Sequence, residues 1–128
     1  MTMIGRGSNS TSATARMREF TNARCDLTRV AWRQTGFIHA QTPNVQTALD
    51  ALEQAPQPIK VVQPHLLFEG QLMEQLRLQI AEKQRRDKTA NWIITEVLGV
   101  DQQLAEMLAR MAKQAITANH PSQTGDYR

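Results

Sequence analysis

The residues able to do chemistry are few and scattered. Three histidines, His39, His65 and His120, fall in separate connecting segments, and no His, Cys, Asp or Glu set recurs at the spacings that hold zinc. Cys25 is the single cysteine. With no adjacent His and no CxxC partner, it reads as a small half-buried residue rather than a nucleophile. The sequence carries no Gly-rich phosphate loop, no Gly-x-Ser-x-Gly elbow and no paired-carboxylate motif. This pattern predicts no catalytic residue, no metal site and no cofactor, and hence a protein that is not an enzyme.

Charge is distributed unevenly. The chain has 15 Lys+Arg against 12 Asp+Glu, a formal net charge of +3. Arg6, Arg16, Arg18, Arg24, Arg29 and Arg33 face only Glu19 and Asp26 within residues 1–47, so the basicity belongs to the N-terminal third. Arginine is favoured where a planar fork must grip phosphate or carboxylate. A second cluster, Glu82-Lys-Gln-Arg-Arg-Asp-Lys88, reads as a solvated stretch of helix with local pairs such as Glu82 with Arg86.

The elements that must position these groups follow from hydrophobic periodicity. Met17, Phe20, Leu27, Val30 and Ala31 predict a helix over 13–34 with Gly36 as its stop. Thr42-Pro43 opens a short helix over 43–55, with Val45, Leu49 and Leu52 on one face and Pro56 at its end. Three prolines between Pro56 and Pro64 predict an extended connector rather than a central strand. Leu66, Met73, Leu76 and Ile80 then predict a helix over 64–87, in which Gly70 marks a close helix crossing. Trp92 to Leu98 predict another over 89–98. Asp101 caps a last helix over 102–118, where Leu104, Leu108, Met111 and Ala115 share one face. Residues 1–12 and 120–128 are rich in Gly, Ser, Thr and Asn or otherwise poor in apolar groups, and read as flexible tails flanking a single domain over 13–119. The expected fold is an all-α bundle of four to five helices.

No apolar run approaches the roughly 18 residues of a membrane span, and the N-terminus lacks the apolar stretch of a secretory signal. Together with the lone cysteine this predicts a cytoplasmic protein, or one held within a macromolecular assembly.

The segment Thr95-Glu-Val-Leu-Gly-Val-Asp-Gln-Gln-Leu-Ala-Glu-Met-Leu-Ala-Arg110 places a glycine turn between two apolar stripes, the second opening with two glutamines. It resembles the helix-turn-helix of phage-type repressors. The resemblance implies that Gln102 and Gln103 read bases, that Arg110 and Lys113 touch phosphates, and that Arg6, Arg16 and Arg18 form an auxiliary arm. Within 89–113, however, Glu96, Asp101 and Glu106 outnumber the two cations. Phosphate binding asks for several, so a DNA-binding protein is the alternative expectation.

The leading expectation is a helical assembly protein. Its apolar faces, among them Trp32, Phe68, Leu72, Leu78, Trp92 and Ile93, exceed what a short second helix can cover. They would meet copies of the same chain or a larger complex, such as a phage-like particle, secretion machinery or an adaptor. Nucleic acid is the alternative partner, and no small-molecule substrate is expected.

Overall fold

In the computed structural model, which describes residues 1–119, strands and helices alternate from the first residues onward. The order is β1 (Thr2–Gly5), α1 (Thr11–Leu27), β2 (Gln34–Phe37), α2 (Val45–Gln54), β3 (Ile59–Pro64), α3 (Gln71–Arg86), β4 (Asn91–Ile94) and α4 (Gln102–Asn119). The strands pair in parallel in the order β2-β1-β3-β4. This is an α/β fold and overturns the expected all-α bundle. Residues 2–5, expected in a tail, form an interior strand. Residues 34–37, 59–64 and 91–94, expected as a helix end, a connector and a helix, supply the other three strands.

Each misread segment has a local physical cause. β1, Thr2-Met-Ile-Gly5, is buried on both faces and so shows no alternation of apolar and polar residues. Gly36 does not end a helix. It lies in β2, where an added Cβ would sit 2.7 Å from the Ala48 Cβ and 2.8 Å from the Ile4 Cδ1, so its missing side chain lets α2 approach the sheet. Pro64 is tolerated because it closes β3, and the ladder continues through the next amide, His65 N–H to the Ile4 carbonyl at 2.8 Å. Gly70 caps α3, yet nothing lies within 4 Å of a Cβ there, so it is not a helix crossing.

Chain direction across the sheet sets the layers. The path runs from β1 to β2 and then jumps back over β1 to β3 and β4, and right-handed crossovers therefore put α1 on one face and α2 with α3 on the other. The packing follows: Met1, Met3 and Cys25 meet Met17 and Val61 on the α1 face. Ile4, Val62 and Trp92 meet Ala48, Leu49, Leu52, Leu76 and Ile80 on the opposite one. Ser10 caps α1 through the Ala13 N–H, and Asn44 caps α2 through the Thr47 N–H.

Residues Met1–Leu98 form one compact unit, and the chain from Gly99 forms a second. In that second unit Asp101 Oδ1 accepts from the Leu104 N–H at 3.0 Å and starts α4, whose side chains are largely exposed. Residues 120–128, expected as a tail and holding His120, lie outside the described residues. No helix among the described residues is long and apolar enough to cross a membrane.

A buried cation fastens α3 to α2. Lys83 Nζ donates to Asp50 Oδ1 and Glu53 Oε2, both at 2.6 Å, with its side chain only 3% exposed. Burial opposes the charge on Lys83, but these hydrogen bonds outweigh it and raise its pKa above the usual lysine value. The bond from Lys83 likewise holds Asp50 below the ordinary aspartate value. Elsewhere in the 82–88 cluster the exposed Glu82 pairs locally with Arg85 at 2.7 Å and Arg86 at 3.4 Å, while Gln84 and Asp87 are half-buried.

Removing Asp50 and Glu53 together by alanine leaves an uncompensated ammonium and should cost about 3 kcal/mol in urea unfolding. Lys83→Met, which leaves two partly hydrated carboxylates and keeps the packed stem, should cost about 1 kcal/mol. The stability from Asp50 is present above its unfolded-state pKa and is lost as pH falls through the lowered folded value. That from Lys83 is present below its unfolded-state pKa and is lost as pH rises through the raised one. The stability difference between wild type and a variant combining Asp50→Ala, Glu53→Ala and Lys83→Met should therefore be flat between about pH 5 and 9 and shrink on either side.

Candidate functional site

In an open parallel sheet, ligands bind beyond the carboxyl ends of the strands where the chain reverses its progression. Here that point lies between β1 and β3. Two loops meet there, Arg6-Gly7-Ser8-Asn9 leading into α1 and His65-Leu66-Leu67-Phe68-Glu69-Gly70 leading into α3. Between them is a pocket of about 530 Å³, lined by Arg6, His65 and the run from Leu66 to Met73. Its wall is largely apolar, with an exposed imidazole and guanidinium at its rim. That composition suits an apolar ligand body carrying acidic substituents.

The backbone fixes both loops. His65 N–H is tied to the Ile4 carbonyl, and the Phe20 ring of α1 meets the His65 imidazole edge-on at 5.1 Å between centroids. Ile38 N–H donates to the Gly5 carbonyl at 3.0 Å and His39 N–H to the Arg6 carbonyl at 2.9 Å, joining the loop after β1 to the loop after β2. Gly7 makes this closure possible. Its φ is +92°, and a Cβ would fall 1.8 Å from the His39 carbonyl oxygen. Arg77 holds the other loop by two bonds to Glu69, at 2.8 and 2.7 Å, and reaches Glu96 beyond β4 at 3.4 Å. Its fork keeps Glu69 below the usual glutamate pKa, chiefly through the hydrogen bonds that Glu69 accepts.

A further cavity of about 370 Å³, bordered by Trp32 and Lys60, opens at the amino ends of the strands, away from the reversal point. Among the described residues no three His, Cys, Asp or Glu side chains gather to hold a metal ion.

The residues singled out from sequence scatter. Arg6, Phe68 and Leu72 line the main pocket. Trp32 is half-buried at the opposite end, and Leu78 and Ile93 are exposed away from the pocket. Trp92 is no exposed anchor: it is buried in β4 and donates through Nε1 to Asp87 at 3.0 Å. Arg16 pairs with Glu19, while Arg18 donates to the Thr42 carbonyl and covers the Phe37 ring. Gln102, Gln103, Arg110 and Lys113 are exposed on α4, with Gln102 bonded to Glu106. Because 91–94 is a strand, β4 rather than a helix comes directly before α4, and the helix-turn-helix does not form. His65 was missed as a site residue. The available signal was positional: an apolar β-branched run ending in Pro64, then His65, then a glycine before a helix.

Gly7→Ala should destabilise the chain by about 2 kcal/mol in urea unfolding and shift the NMR resonances of His39, since backbone must move to admit the methyl group.

A family model described as CbiX matches residues 1–115. A solved structure of a protein described as a cobalamin (vitamin B12) biosynthesis CbiX protein, from Marinobacter aquaeolei VT8, is similar in fold. Its TM-score is 0.69, over 91% of this chain and 96% of that one, at 13% sequence identity. No curated protein matches the chain.

Proposed function

The chain belongs to the CbiX family, and on that premise we propose that it is a metal chelatase that inserts a divalent cation, cobalt foremost, into a polycarboxylated tetrapyrrole such as sirohydrochlorin. The family match overturns both earlier expectations, a non-enzymatic assembly subunit and a helix-turn-helix DNA-binding protein. One observation carries the reading to particular residues: an imidazole and a guanidinium border an apolar pocket of about 530 Å³ at the reversal point of the sheet.

The reaction defines what the site must supply. Two pyrrole N–H protons leave the macrocycle as the metal enters, and the metal sheds its water. His65 offers an imidazole lone pair at the pocket rim, able either to accept one pyrrole proton while the other passes to solvent water, or to hold the incoming cation briefly while both protons pass to water. Arg6 pairs with carboxylate arms and sets the orientation of the ring. Leu67 and Phe68 present exposed apolar surface to the macrocycle face. Arg77, through Glu69, keeps the loop bearing these groups in place. A cytoplasmic setting is part of the proposal, supported by Cys25 being a buried free thiol.

Following the absorbance of sirohydrochlorin with Co²⁺ tests this directly. His65→Ala should lower kcat about a hundredfold. Arg6→Ala should raise KM about tenfold with little change in kcat, the mark of lost uniform binding. Wild-type protein that leaves the metalation rate at its uncatalysed value would refute the assignment.

A further inference from the structure

A second cleft opens beside the first along the same edge of the sheet. Its volume is about 290 Å³, and Leu72 borders both. Leu72, Gln75, Leu76 and Gln79 recur at i, i+3, i+4 and i+7 on α3, so Leu76 packs inward while Gln75 and Gln79 stand exposed at the cleft. Facing them are His39, after β2, and Asn44 and Gln46, at the start of α2.

The chemistry of this lobe differs from that of its neighbour. No Asp, Glu, Lys or Arg lines it. Asn44 accepts from the Thr47 N–H through Oδ1, which leaves its NH₂ group free, and Gln46 donates to Asp50. Among the described residues the side chains of Gln75 and Gln79 make no intramolecular hydrogen bond, so their amides remain available. The N-terminal end of α2 adds the positive end of a helix dipole. The result is a cleft in which the free amides of Asn44, Gln75 and Gln79, with His39 beside them, stand against Ile38, Val45, Leu72 and Leu76.

We infer that this cleft is a subsite for the carboxylate arms on one side of the tetrapyrrole, with Gln75 and Gln79 as its specificity-determining residues; the inference rests on the function proposed above. A macrocycle lying on Leu67 and Phe68 carries its arms at the ring perimeter, and those passing Leu72 enter the amide-lined lobe. Neutral donors there bind carboxylates without demanding a fixed charge state, whereas Arg6 supplies the charged contact in the main pocket.

Equilibrium titrations of full-length protein, followed by porphyrin fluorescence, provide the test with uroporphyrin as a polycarboxylate probe and mesoporphyrin as a dicarboxylate one. Both variants change only exposed positions, and circular dichroism checks their fold. Q75E/Q79E should weaken uroporphyrin binding about tenfold and Q75K/Q79K should strengthen it, each effect shrinking with added salt. Mesoporphyrin affinity should move less than about twofold. Uroporphyrin binding that is equal in wild type and both variants would overturn the subsite while leaving the chelatase reading intact. Wild-type protein that binds neither porphyrin would overturn both.

Discussion

The site depends on the double-sided pairing of β1. This four-residue strand is hydrogen-bonded in parallel to β2 on one side and β3 on the other, and the chain departs from it in opposite directions. The loops leaving β1 and β3 must therefore diverge, one toward α1 and the other toward α3, opening a crevice between them. The carbonyls at the end of β1 also anchor the walls of that crevice. Ile4 holds His65 and Gly5 holds Ile38. The same ladder that closes the sheet thus sets the positions of the loops bearing Arg6, His39 and His65.

Packing against that ladder divides the crevice into its two lobes. α2 comes close to the sheet because Gly36 leaves room for Ala48. α3 is tied to α2 farther along by Lys83 between Asp50 and Glu53. The helices are thus fastened toward the carboxyl end of α3 while its amino-terminal half, with Leu72, Gln75 and Gln79, borders open cleft. A buried ammonium is a costly fastener compared with an apolar contact. Its three donors nevertheless allow one side chain to engage two carboxylates on successive turns of α2, which fixes the helix register.

Local signals in the sequence report the centres of the helices, overrun α1 and α3, turn β4 into a helix and miss the other strands. Leu49 and Leu52 mark the core face of α2, and Asp101 marks the start of α4, because capping and 3.6-residue periodicity are properties of short windows. The strands are too short for a period of two to register, and β1 is buried on both faces. Gln34-Thr-Gly-Phe37 holds one large apolar residue, and Trp92-Ile93-Ile94 fits a buried helix or strand equally well. Prolines flanking β3 suggest a connector because sequence does not reveal that Pro64 falls on its last residue. His65 is invisible for the same reason: its importance comes from standing after an interior strand at the reversal point, a fact of topology rather than of neighbouring residue types.

The arginine-rich N-terminal third has a different meaning once its partners are known. Arg16 meets Glu19, Arg24 meets Gln63 and Thr28, and Arg33 meets Asp26 and the Val30 carbonyl. Arg18 lies over Phe37. Arg16 pairs within α1, while Arg18, Arg24 and Arg33 fasten α1 to its surroundings, Arg24 reaching β3 and Arg33 lying just ahead of β2. Arg6 alone among them lines the main pocket. A nucleic-acid surface would gather such cations along one exposed track to neutralise successive phosphates. Their dispersal instead leaves one directed cation at the crevice within a chain of net charge +3. Under the proposed function, that field would draw in a compact polyanion and leave its orientation to a single guanidinium.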